Sequence, residues 1–179
     1  MKHAVLLLAA TGSPAIAGGL SASAIGTAQA EVAVPLVATR EADLDFGAIF
    51  ATTAPGTVIL GADGTASYTG GVRPACVPGA CGPVHPAAFA VAGEGGRAYI
   101  VTLPTAITAT GTTAAGRPAP PLAVAELTVR TASRPAAGPG GQLDATGHDR
   151  FEVGGTLHVP AGIPAAGYRA TIPVMVTYG

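Results

Sequence analysis

Residues 168–178 read Tyr-Arg-Ala-Thr-Ile-Pro-Val-Met-Val-Thr-Tyr. Tyr168, Ala170, Ile172, Val174, Val176 and Tyr178 take every second position, with Arg169, Thr171, Pro173, Met175 and Thr177 between them. Successive side chains of a strand point to opposite faces, so the run predicts one long strand with an apolar and a wet face. Pro173 brings no N–H to a ladder and puts uninterrupted pairing of that strand in doubt. The same period recurs upstream. Phe151, Val153, Leu157 and Val159 share a face, with Gly154-Gly155 marking a bend or a close backbone approach. Phe89 and Val91 alternate with alanines, and Gly93–Gly96 turns the chain into Tyr99–Leu103. Thr57–Leu60 and Thr65–Thr69 flank Gly61-Ala62-Asp63-Gly64, a hairpin signal. Leu44–Phe50 is a short apolar segment, and Val32, Val34 and Leu36 fall on one face of a first strand. Leu122 and Val124 are out of phase with Leu127 and Val129, and a one-residue bulge near Ala125-Glu126 reconciles them. The stretches 111–121 and 132–141 are rich in Gly, Pro and Ala and read as loops.

Composition narrows the class. Among 179 residues there are 26 Gly and 16 Pro, a load that argues against a helical bundle and for short strands joined by turns. The glycines have no period of three, which excludes collagen. Turn signals at short, irregular intervals with no helical period predict an all-β fold, a single antiparallel β-sandwich. A net charge of −1 gives no electrostatic footprint for nucleic acid or an acidic membrane.

The N-terminus predicts export. Lys2 and His3 precede the apolar Ala4–Ala10, and Ala28-Gln29-Ala30 is the small-x-small pattern that a signal peptidase cuts. A signal peptide over 1–30 leaves one mature domain over 31–179, located in the periplasm, on the cell surface or outside. Seven strongly apolar residues are too few to cross ~30 Å of hydrocarbon, and no later stretch approaches a membrane span. In that compartment Cys76 and Cys81, separated by Val-Pro-Gly-Ala, are expected to form a disulfide. So small a ring stabilises by roughly 2 kcal/mol and pins one loop.

Chemistry is sparse. His85, His148 and His158 have neither the i, i+2 strand nor the i, i+4 helix spacing of a metal signature. Ser67 and Ser133 lie in no nucleophile elbow. Glu41, Asp43 and Asp45 are expected to be a solvated strand edge. These residues predict no enzyme, no metal and no cofactor.

Several pieces in order resemble a family of small secreted bacterial β-domains, domain of unknown function 4402. They are Leu44–Ile49, Asp63-Gly64, Gly70-Gly71-Val72, Phe89-Ala90-Val91, Tyr99–Pro104, Leu143-Asp144-Ala145, Phe151–Leu157 and the closing Gly167–Tyr178. The resemblance implies a secreted sandwich with no catalytic residues to carry over. The closing strand, with its penultimate aromatic, is also similar to subunits of chaperone–usher pili of the spore-coat-U-like branch, which implies an immunoglobulin-like, pilin-like domain. The Cys76–Cys81 loop and Pro173 depart from that pattern.

The function expected is a structural subunit of a pilus or coat, assembling by β-strand exchange. Val32, Val34 and Leu36 are the candidate inserted set. The receiving groove would lie beside Tyr168, Ile172, Val174, Val176 and Tyr178. Its partners would be further copies of itself and a periplasmic chaperone and usher. The alternative is a monomeric secreted or periplasmic binding module of unknown ligand. A third reading is a small hydrolase or metal protein using His148, Asp149 and His158.

Overall fold

In the computed structural model, residues 34–75 and 83–179 are described, and they carry thirteen strands and no helix. The expected signal peptide, Val32 and the Cys76–Cys81 pair lie outside the described residues. The strands are β1 (Val37–Ala42), β2 (Leu44–Ala51), β3 (Gly56–Leu60), β4 (Ala66–Tyr68), β5 (Val72–Pro74), β6 (Ala87–Ala92) and β7 (Ala98–Thr102). They continue as β8 (Ala106–Thr113), β9 (Pro118–Thr131), β10 (Gly140–Gln142), β11 (His148–Val159), β12 (Ala166–Ala170) and β13 (Met175–Tyr178). Every pairing is antiparallel. A large curled sheet runs β1-β6-β11-β9-β8-β12-β2-β5, with β3 against the second half of β11 and β4 against β3. A small sheet runs β10-β7-β13. The fold is the expected antiparallel sandwich.

The core is built from the alternating apolar residues. Phe89 and Phe151, cross-strand partners, stack with ring centroids 4.9 Å apart. Around them Phe46, Leu157, Tyr168, Tyr99 and Leu143 are fully buried. β11 organises this core by changing partners: His148–Val153 pairs with β6, and Gly155–Val159 with β3. The change falls at Gly154, where any side chain would strike the Leu60 carbonyl and the Ala62 amide. The expected close approach is therefore met there. The expected bulge is also present. The β9–β11 register slips between Gly154 and Thr156, and Glu126 sits at φ 51°, left-handed backbone that a non-glycine residue seldom adopts.

Four expectations need correction. The closing run is not one strand. Tyr168 and Ala170 lie in β12, between β8 and β2 in the large sheet, whereas Val176 and Tyr178 lie in β13 of the small sheet. Residues 171–174, with Pro173, cross between the sheets outside any ladder. The alternation nonetheless holds throughout, because both sheets face one interior. The first strand begins at Val37, after Pro35, so Val34 and Leu36 precede it, and β1 pairs with β6 of its own domain. The supposed loop 111–121 is mostly hairpin: β8 continues to Thr113 and β9 starts at Pro118. Before Val124, β9 has only β8 beside it among the described residues, so prolines there leave no second ladder short of an N–H. Finally, 132–141 ends in the short strand β10.

Candidate functional site

Two sheet edges run side by side: β1 closes one end of the large sheet and β13 one end of the small sheet. Each has a single strand partner among the described residues, β6 and β7 respectively. The Gly179 amide donates to the Ala98 carbonyl at 3.0 Å, which fixes the phase of the β7–β13 ladder. Hydrogen-bonded and non-bonded pairs alternate in an antiparallel ladder. Thr177 and Met175 therefore bond to β7, and the N–H and C=O groups of Val176 and Tyr178 point away from it, into the seam. The side chains of Val174, Val176 and Tyr178 are half-buried against the core, while Met175 is 63% exposed on the outer face.

Tyr178 crosses the seam. Its hydroxyl accepts from the Glu94 amide at 2.7 Å and donates to the Val34 carbonyl at 2.9 Å. The Arg97 guanidinium lies 5.0 Å over its ring, held in turn by Glu94 at 3.2 Å. Leu36 packs against the core beside Gly93, and Val34 is 48% exposed. Of the sequence-predicted exchange residues, Val34, Leu36, Val174, Val176 and Tyr178 border or precede this seam. Tyr168 and Ile172 do not; both are core residues, and the Tyr168 hydroxyl donates to the Pro120 carbonyl at 3.2 Å. Of the two strands in the closing run, β12 has strands on both sides, whereas β13 has one side without a strand among the described residues.

The acidic trio is not one solvated edge. Glu41 is exposed and forms an ion pair with Arg150 at 3.0 Å. Asp45, in contrast, is 4% exposed. One of its oxygens accepts from the Gly47 amide at 2.8 Å and the other from Arg169 Nε at 2.6 Å. A bulge opposite Tyr168–Arg169 and the left-handed Gly47 turn the carboxylate into this position, and His85 bridges to the Asp45 backbone above it. The Leu44–Ile49 motif is thus a bulge built around a buried carboxylate, which alternation alone could not distinguish from a wet position.

The residues of the hydrolase reading are placed apart. His148 and His158 stand in the two halves of β11, ten residues or ~33 Å of strand from each other. Asp149 accepts from the Tyr99 hydroxyl at 2.8 Å and from the amide and hydroxyl of Ser133, whose oxygen also accepts from the Gln142 amide at 2.9 Å. Burial, with the Asp149 hydrogen bond and charge, pushes the Tyr99 phenol well above its usual range. This network ties β7, β10 and β11 together across the sandwich. Asp144 accepts from the His148 amide and from the Thr146 hydroxyl and amide, which hold its carboxyl below the usual range. Sequence reading missed the Asp149 network, since Tyr99 and Ser133 carry no local pairing signal.

Neither the comparison with curated proteins nor that with solved structures finds a match. The family model described as "Domain of unknown function (DUF4402)" matches residues 36–178, from Leu36 through the Asp45 bulge and β11 to Tyr178. On that match the chain belongs to the DUF4402 family.

Proposed function

We propose that this is an exported, non-enzymatic structural subunit that joins copies of itself at the cell surface by strand exchange, with a periplasmic chaperone and usher as assembly partners. One observation carries the reading: the N–H and C=O groups of Val176 and Tyr178 face the seam, where no strand of the described chain pairs with them. An added strand supplies those hydrogen bonds and seats alternate side chains between the sheets. Residues 31–36 suit the donor role, because they precede β1, alternate Val32, Val34 and Leu36, and carry no charge after Glu31.

The competing reading is a monomeric binding module. The contact of Tyr178 with Val34 favours it, since it holds the donor segment against its own domain. Deleting residues 31–36 separates the two and leaves β1 whole. Under exchange, the full chain forms oligomers, while the deleted chain is a folded monomer that binds a peptide of residues 31–38. A full chain that stays monomeric at all concentrations, together with a deleted chain that ignores the peptide, contradicts exchange.

A further inference from the structure

We infer that Tyr178 is a latch that holds the start of β1 on its own domain and so controls release of the donor segment; this rests on the strand-exchange reading. The phenol joins three separate parts of the chain, its own strand and two others. It is the last aromatic of β13, its oxygen takes the Glu94 amide from the β6–β7 connection, and its proton goes to Val34 ahead of β1. Arg97, itself paired with Glu94, sits over the ring, so the phenol is fixed from the loop side before it reaches Val34. Gly93 makes the space. A Cβ there would lie 2.5 Å from the Tyr178 oxygen and 2.9 Å from Leu36 Cδ1, so any larger residue pushes both latch elements out.

Among the described residues ahead of β1, little besides Leu36 is held. Val34 is half-exposed, and the β1–β6 ladder starts only at Val37↔Ala92. Among the described residues of the segment, 34–36, the hold consists of one phenolic hydrogen bond and the partial burial of Leu36. One ordinary hydrogen bond weighs about five-fold in the equilibrium between held and released segment.

Hydrogen exchange on the full chain tests this, comparing the wild type with Tyr178→Phe and Gly93→Ala. The latch predicts about five-fold faster exchange at Val37–Thr39 in both variants, with the central amides of β9 and β11 unchanged. It also predicts that both variants take up a labelled peptide of residues 31–38 faster than the wild type. Unchanged exchange at Val37–Thr39, or uniform loosening that includes β9 and β11, overturns the latch. Peptide uptake that is equal in all three chains overturns the latch alone. Release at Val37–Thr39 with no uptake by any chain overturns strand exchange itself, and with it the latch's role there.

Discussion

Replacing Asp45 by Ala removes two interactions of different weight. The Gly47 amide, buried in the β2 bulge, loses its acceptor at 2.8 Å, and a buried N–H left unpaired costs about 1–3 kcal/mol. The ion pair with Arg169 at 2.6 Å is lost as well, but that guanidinium is 66% exposed, so its share is only about 0.5 kcal/mol. Together the change destabilises by about 1.5–3.5 kcal/mol. For a domain of this size, about 3 °C per kcal/mol converts that to a Tm lower by roughly 5–10 °C. Asp45→Asn keeps an oxygen facing the Gly47 amide and loses only the charge, so it should cost about 0.5 kcal/mol, near 1–2 °C. Thermal unfolding followed by circular dichroism, with urea titration at 25 °C, measures both. An Asn variant as unstable as the Ala variant would place the weight on the ion pair and refute the bulge argument. An Ala variant within about 0.5 kcal/mol of wild type would refute the burial argument altogether.

Gly154→Ala should be among the most damaging single-methyl changes, above about 3 kcal/mol, because the new Cβ meets the backbone of residues 60–62 and not a side chain that can turn away. Soluble yield and urea midpoint report it; a near-wild-type midpoint contradicts the packing of β3 on β11. Burial raises the Tyr68, Tyr99 and Tyr168 phenols above the ordinary phenol value near 10, most strongly Tyr99. The folded state thus holds those protons longer than the unfolded chain, and stability is complete below pH 10 and falls as the pH rises beyond it. Tyr99→Phe should flatten that alkaline decline in a pH series of unfolding curves; an unchanged slope contradicts the Tyr99–Asp149 network.

Much of this fold was legible from period-two patterning. The phase break between Val124 and Leu127 located the Glu126 bulge, Asp63-Gly64 located the β3–β4 hairpin, and Gly154 located a close backbone approach. The closing run was misleading because alternation records which interior a residue faces, not which strand pairs with it. Ile172 and Val174 keep the phase while the backbone passes from β12 to β13. Prolines 118, 120 and 121 masked a strand whose second edge is unpaired. The burial of Asp45 was invisible because its partner Arg169 lies 124 residues away. For the seam, Tyr178 stood out as a penultimate aromatic, yet its contacts with Glu94 and Val34 are long-range and left no sequence trace.

Complementation tests strand exchange most directly. One chain lacks residues 31–36 and keeps β13; the other carries Val176→Pro, which removes a seam-facing N–H of β13 and keeps the N-terminal segment. Light scattering then measures the mass of each alone and of an equimolar mixture. The account predicts two monomers that combine on mixing into a one-to-one heterodimer and grow no further. A mixture that remains monomeric, or either variant forming oligomers on its own, contradicts strand exchange along β13.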